Sequence, residues 1–200
     1  MSGKFLPVSW KDITLLSLRL AHKIIDSSFT PDIIVGILRG GWIVARLLSD
    51  FLGINSVEAV GVKFYKGIGE HHEKPIITHP LTADVNEKKI LIVDDVADSG
   101  KTLQIAIELL QLYGPKEIKT SSIYIKPTTI VVPDFYVAET DSWIIFPWEY
   151  AEVLRNIIKS KGLTLNENSL NKVVEEIGIE RDTFINELLV LLSKTPKNFN

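Results

Sequence analysis

Two adjacent carboxylates, Asp94 and Asp95, followed by Asp98-Ser99-Gly100-Lys101-Thr102, are the residues of this chain best suited to chemistry. Carboxylate oxygens only accept hydrogen bonds and they suit hard cations, so the pair calls for hydroxyls or a hydrated Mg2+. A Ser-Gly-Lys-Thr turn that opens a helix aims backbone N–H groups and the positive dipole end at one point, which suits a phosphate. Phosphate, a hydroxyl pair and a metal together describe a phosphorylated sugar. The spacing is not that of a Walker P-loop, because the glycine required five places before Gly100 is replaced by Asp95. An ordinary helix cap at Asp98 or Ser99 would need no pair of aspartates before it.

The flanking residues supply the elements that must position this group. Residues 90–93 are four aliphatics in a row, the pattern of a strand buried on both faces. Residues 103–110 carry apolar side chains at helical spacing. The order is therefore strand, acidic tip, small-residue turn, helix, and open α/β sheets bind ligands at such strand ends. A second unit of the same kind lies upstream: an apolar strand over 33–38, then Arg39-Gly40-Gly41, then a helix over 42–52 closed by Gly53. Its glycines let backbone amides approach an anion, and Arg39 adds charge beside them. Ser9 is placed to cap a first helix over 10–25, and 57–65 reads as a third strand. The polar, glycine-bearing stretch 66–75 has the composition of a lid, and 76–80 returns to the sheet. A strand over 118–124 ends at Lys126-Pro127, and a short strand over 136–139 precedes Trp143-Ile144-Ile145-Phe146-Pro147-Trp148-Glu149.

Bulk properties narrow the class. Two hundred residues accommodate one α/β domain and a small appendage. A formal net charge of -3 argues against a general nucleic-acid binder and against a membrane-surface protein. There is no cysteine, hence no disulfide framework and no thiolate chemistry. The four histidines lack metal-ligand spacing, His71 and His72 being adjacent in the polar loop. No apolar run reaches membrane-spanning length and the first residues lack a signal-peptide pattern, so a cytoplasmic enzyme is expected. One methionine, no cysteine and much Ile, Lys and Glu point to a thermophile, against which stands an asparagine content that is not low.

Residues 90–102 resemble the phosphoribosyl diphosphate (PRPP) signature of the type I phosphoribosyltransferases: four apolar residues, two acids, then a small Thr/Ser-Gly-x-Thr turn, with Ser99 where Thr is usual. Residues 36–41 resemble the pyrophosphate loop of the purine enzymes of that family, which often carries a non-proline cis peptide; here it would fall at Leu38–Arg39. Lys126-Pro127 followed by Trp143 to Glu149 resembles the purine-binding hood of archaeal and bacterial xanthine-guanine/hypoxanthine phosphoribosyltransferases. The resemblance covers roughly 32–149.

It implies a type I phosphoribosyltransferase core, a parallel sheet flanked by helices, with a small hood over 1–150 and a helical C-terminal appendage over 151–200. It also implies transfer of 5-phosphoribosyl from PRPP to a purine with Mg2+, giving a nucleoside monophosphate and pyrophosphate, as in purine salvage. Asp94 and Asp95 would hold the ribose hydroxyls and the metal. Asp98, Ser99, Gly100, Lys101 and Thr102 would cradle the 5′-phosphate, and Leu38, Arg39, Gly40 and Gly41 the pyrophosphate. Lys126, Trp143, Ile144 and Glu149 would bind the base. Asp98 would take the proton of purine N7, although a plain helix N-cap is its other reading. Asp98 and Lys126 favour a 6-oxopurine (hypoxanthine, guanine or xanthine); adenine is the alternative base. A PRPP- or nucleotide-sensing regulator of the same fold is a further alternative.

Beyond Tyr150 the resemblance ends. Helices are expected over 151–161, 165–177 and 181–193, with Asn168 or Ser169 capping the second. A helix–Gly–helix at 165–193 has the outline of a DNA-binding helix-turn-helix, but its charges are balanced and its last helix is rich in Leu and Ile. A packing or dimer element is expected instead, in a homo-oligomer, with a dimer favoured and neither nucleic acid nor membrane as partner.

Overall fold

The computed structural model describes residues 4–65 and 74–194. Its elements are β1 (Phe5–Pro7), α1 (Trp10–Asp26), β2 (Ile33–Leu38), α2 (Gly40–Leu52), β3 (Val57–Tyr65), β4 (Lys74–His79), β5 (Lys89–Ala97) and α3 (Lys101–Gln111). They continue with β6 (Glu117–Ile125), β7 (Phe135–Glu139), β8 (Trp143–Ile145), α4 (Tyr150–Ser160), α5 (Glu167–Ile177) and α6 (Thr183–Lys194). The described residues form two compact units, one over Ile13–Asp141 and one from 4–12 with 142–194.

The first unit is built on a six-stranded sheet of order β4-β3-β2-β5-β6-β7. All neighbours pair in parallel except β4, which runs antiparallel to β3 at the edge. Alternate residues of the central strands, Ile33, Val35 and Ile37 with Ile90 and Ile92, pack against Leu103, Ala106 and Leu110 of α3. Helix α2 packs on β2 and β5. Burial on both faces explains why these strands read as continuous apolar runs rather than alternating ones. The chain leaves β2 towards β3 on one side and β5 towards β6 on the other, so the strand order reverses between β2 and β5. That is where an open α/β sheet forms a ligand crevice.

Strand β5 is longer than expected. It does not stop at Val93 but continues through Asp94 and Asp95, because β6 keeps pairing it as far as Asp94↔Ser122, Val96↔Tyr124 and Ala97↔Ile125. The ladder is made by backbone groups, so the end of an apolar run is not the end of a strand. The expected lid at 66–75 lies outside the described residues over 66–73, while Lys74 and Pro75 already belong to β4.

The second unit contains a short strand that the sequence reading did not anticipate, β1, parallel to β8 with Phe5↔Trp143 and Pro7↔Ile145. Three residues ending in proline give no periodic signal. Ile145 and Tyr150 share one core with Leu154 and Ile158 of α4, Leu170, Val173, Val174 and Ile177 of α5, and Ile185, Leu189 and Leu192 of α6. The Tyr150 hydroxyl donates to the Val8 carbonyl at 2.7 Å, and burial pushes its pKa up to about 12. The cap of α5 is Asn166, whose side-chain oxygen accepts from the Ser169 amide at 2.9 Å, rather than Asn168 or Ser169. Asp182 likewise accepts from the Ile185 amide at 2.7 Å at the start of α6.

Candidate active site

The two turns singled out from sequence stand side by side at the carboxyl ends of β2 and β5. Register places Gly36 beside Val93, so Leu38-Arg39-Gly40-Gly41 follows β2 next to the acidic pair. The approach is close enough to need glycine. A Cβ on Gly40 would lie 1.7 Å from Oδ2 of Asp95, and one on Gly41 would lie 2.4 Å from the Val93 carbonyl oxygen. Any side chain at either position would push the start of α2 away from the end of β5. The Leu38–Arg39 peptide is cis, where the family resemblance placed it. Helix α2 starts at Gly40 with no side-chain cap.

Asp94 is buried and its Oδ1 accepts from the Asp95 amide at 3.0 Å; Asp95 Oδ1 accepts from the Val96 amide at 3.0 Å. Burial, then the neighbouring Asp95 charge, holds the Asp94 carboxyl well above the usual carboxylate range. Burial also raises Asp95, against the hydrogen bonds that lower it. A buried and a half-buried carboxylate, both with raised affinity for protons, also attract other positive charge. Mg2+ is commonly held by one or two carboxylates together with substrate oxygens rather than by a cage of protein ligands. Asp94 and Asp95, adjacent at the end of β5, supply two such carboxylates, which fits that mode.

The 5′-phosphate candidates form a turn between β5 and α3. Gly100 is the N-cap of α3 with φ 78° and makes no side-chain cap. The plain-cap reading of Asp98 is therefore not what the structure contains. Ser99 Oγ accepts from the Lys101 amide at 3.4 Å, and Asp98 and Ser99 are exposed beside it. Lys126 follows β6, and its amide donates to the Ala97 carbonyl at 3.0 Å, so the lysine sits one strand over from Asp98. The structure thus gathers Leu38 to Gly41, Asp94, Asp95, Asp98 to Thr102 and Lys126 at one edge of one unit.

Trp143, Ile144 and Glu149 belong to the other unit. Trp143 is 62% exposed, Ile144 is buried in β8, and Glu149 precedes α4. Glu149 Oε1 accepts from the Phe146 amide at 3.1 Å and its own amide donates to the Phe146 carbonyl at 3.1 Å, closing the turn. Phe146 stacks on Trp148 with centroids 4.7 Å apart, and the Trp10 ring lies tilted against Trp148 with centroids 5.8 Å apart. Trp148 is thus a packing residue, while Trp143 keeps an open ring.

Comparison with known proteins shows the family. The phosphoribosyl transferase domain family matches residues 9–153. A xanthine-guanine phosphoribosyltransferase of Gluconobacter oxydans is 38% identical over 133 residues, covering 64% of this chain and 76% of that protein. One of Cereibacter sphaeroides is 35% identical over 153 residues, covering 72% and 86%. The crystal structure of a purine phosphoribosyltransferase from Pyrococcus horikoshii superposes with a TM-score of 0.67 at 43% identity, covering 72% of this chain and 93% of that one. The match spans both turns at the β2/β5 crevice and stops a few residues into α4, and on these grounds the chain belongs to the phosphoribosyltransferase family.

Proposed function

We propose that the protein transfers the 5-phosphoribosyl group of PRPP to a purine, with 6-oxopurines as the favoured bases and adenine as the alternative. The observation that carries the reading is the meeting of the glycine turn at the end of β2 with the Asp94–Thr102 segment at the end of β5, one placing amides and Arg39, the other placing carboxylates and a helix start. In this reading Asp94 and Asp95 hold the ribose 2′- and 3′-hydroxyls and Mg2+, which would neutralise charge on the pyrophosphate. Asp98 to Thr102 seat the 5′-phosphate, and Leu38 to Gly41 seat the leaving pyrophosphate. The C1′–oxygen bond to pyrophosphate breaks as the N9–C1′ bond forms, and Asp98 takes the N7 proton. The transition state carries separated charge, so the site stabilises it with fixed groups and needs no protein nucleophile. Lys126 offers an ammonium donor, which suits a 6-oxo acceptor better than an amino donor. Trp143 offers a flat face worth about 1–3 kcal/mol in a base stack. Peptide groups at Ile144 and Glu149 read the pairing edge. Support for the 6-oxopurine class also comes from the names of the Gluconobacter and Cereibacter relatives.

The working form we propose is a cytoplasmic homodimer with a catalytic core over 1–150 and a helical appendage over 151–200. No helix among the described residues is long and apolar enough to cross a membrane. Leu15, Leu18 and Ile25 leave an exposed apolar stripe on α1, which supports an assembly. Turnover with PRPP and Mg2+ against hypoxanthine, guanine, xanthine and adenine tests the base assignment. A kcat/KM for hypoxanthine or guanine above that for adenine is expected; adenine in first place would overturn the 6-oxopurine class while leaving the transfer reaction standing.

A further inference from the structure

The loop after β6 does more than carry Lys126. Lys126 to Thr129 forms a tight turn, with the Thr129 amide donating to the Lys126 carbonyl at 3.1 Å. The next residue, Ile130, donates its amide to the carbonyl of Ser99 at 3.1 Å. Thr129 Oγ1 closes this loop on itself by donating to the Val131 carbonyl at 2.9 Å. The contact with the neighbouring turn is tight: a Cβ on Gly100 would lie 2.6 Å from Thr129 Oγ1 and 2.7 Å from the Val131 amide nitrogen. The Ser99-Gly100 turn is thus backed by a segment far along the chain. Its carbonyl is tied by one hydrogen bond, and its left-handed glycine rests against one hydroxyl.

We propose that Thr129 is a positioning residue for the 5′-phosphate seat, a role that rests on the PRPP reading of Asp98 to Thr102. The hydroxyl sets the loop so that the Ile130 amide meets the Ser99 carbonyl, which fixes the peptide planes whose N–H groups face the phosphate. Amides arranged in advance cost less to order on binding than amides on a free turn. Lys126 depends on Thr129 less, because its own amide is held by Ala97 where the β5–β6 ladder continues. The effect therefore falls on the phosphate side and spares the base.

Thr129→Val keeps the shape and removes the donor, and Thr129→Ser restores it. Calorimetry with ribose 5-phosphate and steady-state kinetics with PRPP read the result. Expected is a loss of ribose 5-phosphate affinity and a rise in PRPP KM of about five- to tenfold in Thr129→Val. The purine KM should stay within about twofold, and Thr129→Ser should recover most of the loss. Unchanged ribose 5-phosphate affinity in Thr129→Val would overturn the proposal, as would equal shifts in both KM values or failure of serine to recover. Wild-type protein that binds ribose 5-phosphate yet performs no transfer would overturn the functional reading alone, since the binding comparison still decides the role of Thr129.

Discussion

At the scale of single residues, burial of the acidic pair sets its charge against stability. Asp94 has its folded-state pKa raised above the unfolded value, chiefly by burial. A raised pKa means that stability is full below the unfolded pKa, near about 3.9, and is lost as pH rises through the folded value. The ionised form of Asp94 therefore weakens the fold relative to the protonated form. Asp94→Asn removes the charge and keeps an oxygen for the Asp95 amide. It should stabilise the free protein by about 1–2 kcal/mol, or roughly 2–8 °C in Tm. The same change should cut kcat/KM for PRPP by roughly 100-fold or more. A fall in Tm, seen by calorimetry, would count against the buried-charge account. Thr102→Val should raise the PRPP KM by about ten- to a hundredfold through loss of a hydrogen bond to a charged group, with the fold intact; an unchanged KM would remove Thr102 from the phosphate seat. The pair and the turn were legible because their types and order are chemically unusual. The contact of Asp95 with Gly40 was not, since the 54 positions between them say nothing of distance until the sheet order is known.

At the scale of elements, the apolar runs and glycine punctuation located most strands and helices to within a few residues, and the misses have physical causes. Strand β5 outlasts its apolar run because β6 extends the ladder. Strand β1 is three residues long and exists through its pairing with β8, whose residues lie 138 positions later. Strand β7 starts where Asp134 is held by β6. Its carboxylate accepts from the Thr120 amide and hydroxyl, both at 2.8 Å, and from Lys119 at 2.9 Å. Burial pushes the Asp134 carboxyl up, but the bonds from Lys119 and Thr120 outweigh it and the net pKa is lowered. With a lowered folded pKa, the contribution is present above the unfolded pKa and is lost as pH falls through the folded value. Urea midpoints followed from pH 6 down to about 2 should fall more steeply for wild type than for Asp134→Ala. Parallel curves would show that this clasp adds nothing to the attachment of β7.

At the scale of the whole molecule, the C-terminal helices are not a loose tail. Their apolar faces share one core with Ile145 and Tyr150, residues inside the stretch matched by the family. Leu189→Ala should therefore cost about 2–5 kcal/mol, the price of a buried leucine deletion. Limited proteolysis near Gly162 should be slow in the native protein. Rapid release of a fully active fragment would contradict an integrated core. The helices themselves were legible from spacing, but their common core with β8 was not, because amphipathic faces do not name their partners. The crevice at β2 and β5 is proposed to perform transfer rather than only sense its ligand. The most direct measurement is pyrophosphate release from PRPP and Mg2+ by the full chain, with and without purine, paired with calorimetry of PRPP binding. Base-dependent release with one nucleoside monophosphate formed per pyrophosphate is the predicted result; PRPP binding with no release for any purine would contradict it and make the protein a sensor.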